Sequence, residues 1–261
     1  VFSPAALEAV ARLAVERNLW VISDECYEAL TFEGRHVSIA ALRGDLTGRT
    51  LVVNTCSKAY AMTGWRIGYA AGPRELIRAM TDVQSQVTSN ASSVAQWAAV
   101  EALSGSQNQV AKMAGEFDRR RRIIIGGLNE LPGVRCVMPR GAFYAMPNVQ
   151  GTGMSAKQLQ EFLLVECGVA TASGTAFGAH GEGYLRLSYA NSEANLRKAL
   201  DRDGTFFQGH IALSVVLYAN LGKPDEAARL LQGLKTKRLP GVTSADRQWI
   251  YLHLGNSLRL M

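Results

Sequence analysis

One short segment of the chain places a lysine among side chains that bind phosphate. Lys58 follows the apolar stretch 50–53, and a lysine at the end of a buried strand can act as a nucleophilic amine. Thr55 and Ser57 supply hydroxyls and Arg66 supplies a guanidinium, which are the donors that a phosphate group requires. A lysine beside a phosphate site therefore indicates a Schiff base with pyridoxal phosphate.

A longer match surrounds this lysine. The segment 54–69, NTCSKAYAMTGWRIGY, resembles the lysine segment of the class I/II aminotransferases, which are fold-type I pyridoxal-phosphate enzymes. Three more segments match that family in the same order along the chain, namely VISDECY at 21–27, PRGAFY at 139–144 and GYLRLSYA at 183–190. Several ordered matches are hard to obtain by chance, whereas a bare Ser-Lys pair would carry little weight. The resemblance covers residues 1 to about 203 and implies the carboxyl-terminal half of a family member.

The resemblance assigns roles to three residues that would contact the reactive part of the cofactor. Lys58 would form the Schiff base and then act as the base that moves a proton from the substrate Cα. Asp24 would lie against the pyridine nitrogen and keep it protonated, so that the ring can accept electrons. Tyr27 would donate a hydrogen bond to the ring oxygen of the cofactor.

The remaining roles concern anionic groups. By the resemblance, Thr55, Ser57 and Arg66 bind the phosphate of the cofactor, and Thr55 lies where many family members have serine. Arg186 would hold the α-carboxylate of the substrate, because a planar guanidinium pairs with a carboxylate in two parallel hydrogen bonds. Arg186 also alternates with apolar neighbours, a pattern that an ordinary exposed strand position shows equally.

The hydrophobic periodicity predicts an α/β fold. Its first part contains a helix at 4–18, capped by Ser3, and strands at 19–22, 50–55 and 67–71. Leu7, Val10 and Leu13 recur on one face of the first helix. The strands would form a parallel or mixed sheet, with Asp24 just beyond the first strand and Lys58 at the same carboxyl edge.

Further helices and short strands follow, and those from residue 108 onward complete a small α+β unit. Helices are predicted at 73–88, 92–103, 108–131, 155–166 and 192–200, and strands near 134–137, 142–146 and 183–189. By the resemblance, residues 1–105 belong to the large cofactor-binding domain and residues 106–203 form the small α+β domain. The segment 204–261 resembles a tetratricopeptide-like helical tail, since Tyr218, Ala227 and Leu231 lie where such helix pairs keep these residue types. A generic helical hairpin is the alternative.

Composition excludes several classes of protein. A hydrophobic content of 48% with 19% charged residues is typical of a folded globular chain and not of a disordered one. The net charge is +6, but the only dense basic run, 119–122, lies in an amphipathic helical pattern, which favours a solvated helix face over a nucleic-acid site.

The four cysteines and four histidines lack metal-ligand spacing, so neither a metal site nor a disulfide framework is expected, and a cytoplasmic location fits best. Neither a transmembrane segment nor a signal peptide is expected.

Three functions are compatible with these observations. The first is a pyridoxal-phosphate-dependent aminotransferase that acts on an amino acid and a 2-oxo acid and is a homodimer in its full-length form. The second is another fold-type I activity such as β-elimination or ring closure, or a ligand-sensing regulator domain, although the motif 62–66 favours aminotransferase. The third is a non-catalytic remnant that binds a protein partner through its helical tail. Lys58→Ala separates them, since only cofactor chemistry depends on that amine.

The resemblance also implies that parts of the site lie upstream of this sequence. In the family, a glycine-rich phosphate loop, an aromatic residue stacked on the ring and an asparagine near the ring oxygen precede the helix that matches 4–18. Several strands of the large-domain sheet precede it too. We therefore expect the chain to be weak or inactive by itself, with uncovered apolar faces and sheet edges.

Overall fold

The computed structural model describes residues 1–200. The helices are α1 (Pro4–Glu16), α2 (Cys56–Ala59), α3 (Arg74–Val87), α4 (Ser93–Ser104), α5 (Asn108–Asn129), α6 (Ala156–Cys167) and α7 (Glu193–Ala199). The strands are β1 (Val21–Asp24), β2 (Thr50–Thr55), β3 (Gly68–Ala71), β4 (Tyr144–Ala145), β5 (Ala172–Ser173) and β6 (Leu185–Ser188). Within this range no helix is both long enough and apolar enough to cross a membrane. The predicted helices of 204–261 lie outside the described residues.

The chain forms two compact units. Of the described residues, the first unit comprises Val1–Glu116 and Arg140–Ala142, and the second comprises Phe117–Pro139 and 143–200. The division falls within α5, and the domain limits that the sequence suggests at 105 and 203 stay proposals.

The first unit is built on a mixed sheet with the strand order β1-β2-β3. β1 is parallel to β2, with Asp24 opposite Val53, and β2 is antiparallel to β3, with Thr55 opposite Gly68. Gly68 is required at this pairing, because a Cβ atom there would lie 2.8 Å from the carbonyl oxygen of Asn54. The mixed sheet agrees with the predicted α/β class.

The first strand begins later than the sequence suggests. β1 covers Val21–Asp24, whereas the prediction was 19–22, so Asp24 ends the strand and does not follow it. The reason is the end of α1: the backbone N–H of Leu19 donates to the carbonyl oxygen of Ala14 at 2.8 Å and belongs to the turn after the helix.

The buried face of α1 also differs from the predicted one. The helix starts as expected, since Ser3 Oγ accepts the backbone N–H of Ala6 at 3.2 Å. The apolar cluster beneath it has four buried members, which are Ala11, Ala14, Ile39 and Leu46. Leu7 packs against this cluster, but Val10 and Leu13 are each 49% exposed. The small side chains of Ala11 and Ala14 allow the segment around Ile39 to approach the helix. Of the three residues on the predicted apolar face, only Leu7 therefore packs against the cluster.

Apolar side chains are exposed in much of the first unit, as the sequence analysis expects. Ile22 in β1 is 73% exposed and Trp97 in α4 is 75% exposed. On α3, which has no buried residue, Val83 and Val87 are 64% and 73% exposed.

The second unit contains a small antiparallel sheet with the order β4-β6-β5. Tyr144 in β4 lies opposite Ser188 in β6, and Ala172 in β5 lies opposite Arg186. Its main core lies between the sheet and the second half of α5, with Ile124, Ile125, Leu128, Cys136, Ala145, Tyr189 and Leu196 as buried members.

Two predictions for the second unit are wrong. No strand forms at 134–137 beyond a single bridge of Arg135 to Asn148, because the side chain of Asn129 occupies both the N–H and the carbonyl oxygen of Cys136. The basic run 119–122 is not wholly a solvated face. Arg121 is 1% exposed, since it forms an ion pair with Asp118 at 2.6 Å and donates to the backbone.

Candidate active site

Lys58 lies in α2, a single helical turn that begins where β2 ends. Thr55 caps this turn, because its Oγ1 accepts the backbone N–H of Ser57 at 3.1 Å. The same oxygen donates to the carbonyl oxygen of Ile67 at 2.8 Å and lies 2.9 Å from the hydroxyl oxygen of Ser57. The cap thus holds the two hydroxyls together at the start of the turn that carries the lysine.

The pairing of β1 with β2 brings Asp24 and Tyr27 to the same edge of the sheet as Lys58. The register places Asp24 opposite Val53. The pairing of the two strands extends to the next residue, because the backbone N–H of Glu25 donates to the carbonyl oxygen of Val53 at 2.9 Å. Nζ of Lys58 lies 5.9 Å from the centre of the Tyr27 ring. The three predicted residues therefore lie at one edge of the sheet, although two separate segments carry them.

The pKa of the Cys26 thiol depends on the charges of Asp24 and Lys58, and nothing in the sequence indicated this. Burial raises the pKa of its thiol to about 11, and a hydrogen bond with Asp24 and the charge of that carboxylate act in the same direction. The ammonium of Lys58 opposes them. Asp24 and Lys58 thus act on the pKa of one thiol in opposite directions.

Arg66 follows a short turn and has a strained backbone. Its φ of 51° lies in the left-handed region, which costs a non-glycine residue roughly 1–2 kcal/mol. The guanidinium is exposed and donates to the carbonyl oxygen of Thr63 at 2.9 Å. Arg66 lines an open cleft of about 1000 Å³, together with Trp65, Gln84 and Asn90. It is joined to the capped turn through the next residue, Ile67, whose carbonyl oxygen accepts from Thr55.

Arg186 belongs to the second unit and lies against two aromatic rings. Its guanidinium carbon is 4.6 Å from the centre of the Tyr144 ring and 4.4 Å from that of Phe177. Contacts of this kind orient a guanidinium and contribute about 0.5–1 kcal/mol each at exposed sites. Tyr144 lies in the PRGAFY segment that the sequence analysis noted, but nothing in the sequence indicated Phe177.

A cluster of hydrogen bonds surrounds Glu25, and nothing in the sequence indicated it. The residue is 7% exposed, and its carboxylate accepts from Ser23 at 2.9 Å, from Ser38 at 2.8 Å and from Nε2 of His36 at 2.8 Å. Burial raises the pKa of Glu25, but these hydrogen bonds outweigh burial and bring the pKa below its ordinary value of 4.5. The residue next to Asp24 is thus a buried anion.

The same cluster contains potential metal ligands. Within residues 1–200, one group of three such side chains converges: ligand atoms of Glu25, Glu28 and His36 lie within 4.8 Å of one another. The carboxylate of Glu25 is already occupied by hydrogen-bond donors, and Glu28 accepts from the side-chain amide of Asn54 at 2.8 Å. We therefore interpret the group as a hydrogen-bonded cluster.

Comparison with known proteins identifies the relatives of this chain. An aspartate/prephenate aminotransferase of Thermus thermophilus is 47% identical over 205 residues, which are 77% of this chain and 51% of the relative. An aspartate aminotransferase of Geobacillus stearothermophilus is 42% identical over 214 residues, or 80% of this chain and 54% of the relative. The crystal structure of an aromatic aminotransferase from Pyrococcus horikoshii superposes with a TM-score of 0.76 at 40% identity, covering 81% of this chain and 57% of that one.

The chain spans about half the length of the curated relatives it matches. The match is carried by residues 1–202, which fit the family described as aminotransferase class I and II. Nothing in the comparisons supports the predicted tetratricopeptide-like tail. The residues that meet at the edge of the first sheet lie within the matched range, and the chain belongs to the class I and II aminotransferase family.

Proposed function

We propose that the protein is a pyridoxal-phosphate-dependent aminotransferase that exchanges an amino group between an amino acid and a 2-oxo acid. The observation that carries the proposal is the position of Lys58, Tyr27 and Asp24 at one sheet edge. The relatives are named for aspartate, prephenate and aromatic substrates, so acidic and aromatic amino acids are the first ones to test.

The donor set fits the cofactor. Lys58 offers an amine, Tyr27 a phenol and Asp24 a carboxylate, which suit the aldehyde, the ring oxygen and the ring nitrogen of pyridoxal phosphate. When bound, the cofactor supplies an electron-accepting ring conjugated to the substrate Cα. Nζ of Lys58 would hold the cofactor covalently and then accept and return the proton at Cα. The carboxylate of Asp24 would hold a proton on the ring nitrogen.

Two further groups would bind anions. The hydroxyl of Ser57 and the guanidinium of Arg66 would bind the phosphate, and the hydroxyl of Thr55 would join them by turning its proton away from the carbonyl oxygen of Ile67. Arg186, oriented by Tyr144 and its other aromatic neighbour, would bind the α-carboxylate of the substrate.

The arrangement of the whole protein is part of the proposal. We assign residues 1–105 to the large domain and 106–203 to the small domain of a fold-type I enzyme, and we propose that the complete protein is a homodimer. Because the chain spans about half of its relatives, the activity is proposed for the whole protein.

The decisive test is covalent labelling of one lysine. The 261-residue chain is mixed with pyridoxal phosphate, reduced with borohydride, dialysed and digested, and the modified lysine is found by mass spectrometry. We expect the label on Lys58 and a visible absorption band before reduction, both lost in Lys58→Ala. Lys157→Ala is the matched control, since this lysine of α6 has a side chain that is 66% exposed.

Two outcomes would contradict the proposal. Equal labelling of Lys58 and Lys157 would mean that the aldehyde reacts with lysines unselectively. An absorption band that survives in Lys58→Ala would mean that another amine holds the cofactor.

A further inference from the structure

Glu25 is a buried carboxylate that the proposed chemistry does not use. Its side chain is 6% exposed, and it is held by Ser23, His36 and Ser38, which together with Glu25 are called here the Glu25 cluster. Since a carboxylate only accepts hydrogen bonds, Nε2 of His36 is the donor in their contact. Burial of a charge is costly unless donors satisfy it, and here three side chains do so.

The cluster lies directly beside the residues proposed to contact the cofactor ring. Glu25 follows Asp24 in the chain and precedes Tyr27 by two positions. Ser23 and Glu25 hydrogen-bond to each other and so share one side of the extended chain, which leaves Asp24 on the opposite side. The hydrogen bonds that hold Glu25 therefore also fix the side of the strand from which the Asp24 side chain projects.

The cluster also closes the loop that carries Tyr27. His36 and Ser38 lie after that loop, and their bonds to Glu25 join its end to its beginning. A second tie within the loop is formed by Glu28, which accepts from the amide of Asn54 in β2, the strand that leads to Lys58. The loop is thus fastened on both sides of Tyr27.

We propose that Glu25 is a positioning residue, held by Ser23, His36 and Ser38, that fixes Asp24 and Tyr27 against Lys58 and so sets the affinity for the pyridine ring of pyridoxal phosphate. The inference rests on the proposed function. Supporting residues of this kind matter because a site displaced by about 1 Å binds and reacts poorly. The bonds of the cluster join residues of the segment that carries Asp24 and Tyr27, whereas the hydroxyls of α2 bond to each other and to Ile67. We therefore expect the cluster to affect binding of the ring and to leave phosphate binding unchanged.

The test measures two ligands on the full chain. Pyridoxal, which lacks the phosphate, reports on the ring site, and inorganic phosphate, used as a competitor of pyridoxal phosphate, reports on the phosphate site. We expect His36→Ala to weaken the binding of pyridoxal and pyridoxal phosphate roughly three- to tenfold, the equivalent of one net hydrogen bond, with unchanged competition by phosphate. His36→Gln, which keeps a donor, recovers most of the affinity.

Two further variants keep the test decisive. Ser38→Ala removes a single donor, and we expect a smaller loss of affinity in the same direction even if His36→Ala does not fold. Glu33→Gln is the matched control, because this carboxylate lies in the same loop with a side chain that is 48% exposed, and it leaves both affinities unchanged. Thermal melting of the cofactor-free variants shows that each is folded.

The outcomes separate the inference from the proposed function. If the unaltered chain forms no Lys58-dependent absorption band, the cofactor site proposed for this chain fails and the inference falls with it. If the unaltered chain binds the cofactor and His36→Ala and Ser38→Ala bind equally well, only the inference is overturned. A parallel loss of phosphate binding also overturns it, since that would show a general disturbance of the unit.

Discussion

Nζ of Lys58 lies 5.9 Å from the centre of the Tyr27 ring, so a lysine after β2 meets a tyrosine after β1. The contact follows from the parallel pairing of the two strands, because the carboxyl ends of parallel neighbours reach the same edge of a sheet. It is the relationship on which the proposed cofactor site depends.

The first prediction concerns the two parts of the Tyr27 side chain. Tyr27→Phe keeps the ring beside Lys58 but removes the hydroxyl, and we expect cofactor affinity to fall roughly three- to tenfold, the equivalent of one net hydrogen bond. Tyr27→Leu also removes the ring and lowers affinity further. Titration of the visible band measures both effects. Tyr60→Phe, which loses a hydroxyl bonded to Gln107 at 3.1 Å, serves as the control, and an equal loss in this variant would refute the assignment.

The second prediction uses the thiol of Cys26 as a probe of charge. Cys26 is partly exposed and the other three cysteines are buried, so alkylation at pH 8 reports on this thiol. With a pKa of about 11, roughly one Cys26 in a thousand is a thiolate at that pH, and the reaction is slow. Asp24→Asn lowers the pKa and accelerates alkylation, whereas Lys58→Ala raises it and slows alkylation. Rates that change in the same direction in both variants would contradict the geometry of the site.

The third prediction concerns stability in acid. The pKa of Glu25 is lower in the folded chain than its ordinary value of 4.5, so the unfolded chain binds the proton more tightly. The stabilisation is fully present above about pH 5 and is lost as pH falls through the folded-state pKa. Glu25→Gln is expected to reduce the free energy of unfolding by about 1–3 kcal/mol at pH 7, by less at pH 3, because the buried donors lose a charged partner. Denaturant unfolding at both pH values measures the difference, and an equal loss at each would refute the link to titration.

The fourth prediction concerns Arg186. Arg186→Lys removes the planar fork, and we expect the affinity for a 2-oxo acid to fall tenfold or more, roughly the cost of a bidentate ion pair. Phe177→Leu removes one ring contact and is expected to lower affinity about two- to fivefold. Calorimetric titration of the cofactor-loaded protein measures both. Arg135→Lys, an exposed arginine of the same unit, is the control, and an equal response there would exclude a special role for Arg186.

The fifth prediction tests the packing of the second unit with two glycines. Gly126 lies in α5 with open space around it, and Gly126→Ala should stabilise the chain by about 0.5–1 kcal/mol through helix propensity. Gly133 has a φ of +74°, and a Cβ there would lie 2.4 Å from the carbonyl oxygen of Gly151. Gly133→Ala should therefore destabilise the chain by more than about 1–2 kcal/mol. Thermal unfolding distinguishes the two, and the same sign for both would contradict the described packing.

Some features were predictable because neighbouring residues determine them. β2 covers 50–55 as predicted, since an apolar run is followed at once by Thr55, whose side chain caps the next turn. The helices after β3 lie within one or two residues of their predicted ends, because their periodicity and caps are local. The motif around Lys58 likewise indicated the family without any knowledge of the fold.

Other features were missed because distant residues create them. Glu25 and His36 are polar residues of types that usually lie at the surface, and only the return of the loop onto the end of β1 buries the carboxylate. Arg121 belongs to a basic run that resembles a solvated face, yet its ion pair with Asp118 and a backbone carbonyl hold it inside. Phe177 has no local signal, since its contact with Arg186 depends on the turn after β5.

The family, the order of the elements and the residue types of the candidate site could be read from the sequence alone, because motifs, caps and hydrophobic periodicity are properties of neighbouring residues. The tertiary fold was needed to establish that Tyr27 lies beside Lys58, that the Glu25 carboxylate is buried beside His36 and that aromatic rings contact Arg186. These contacts join residues far apart in the chain, and their free energy depends on strand register and burial, which residue types alone do not specify.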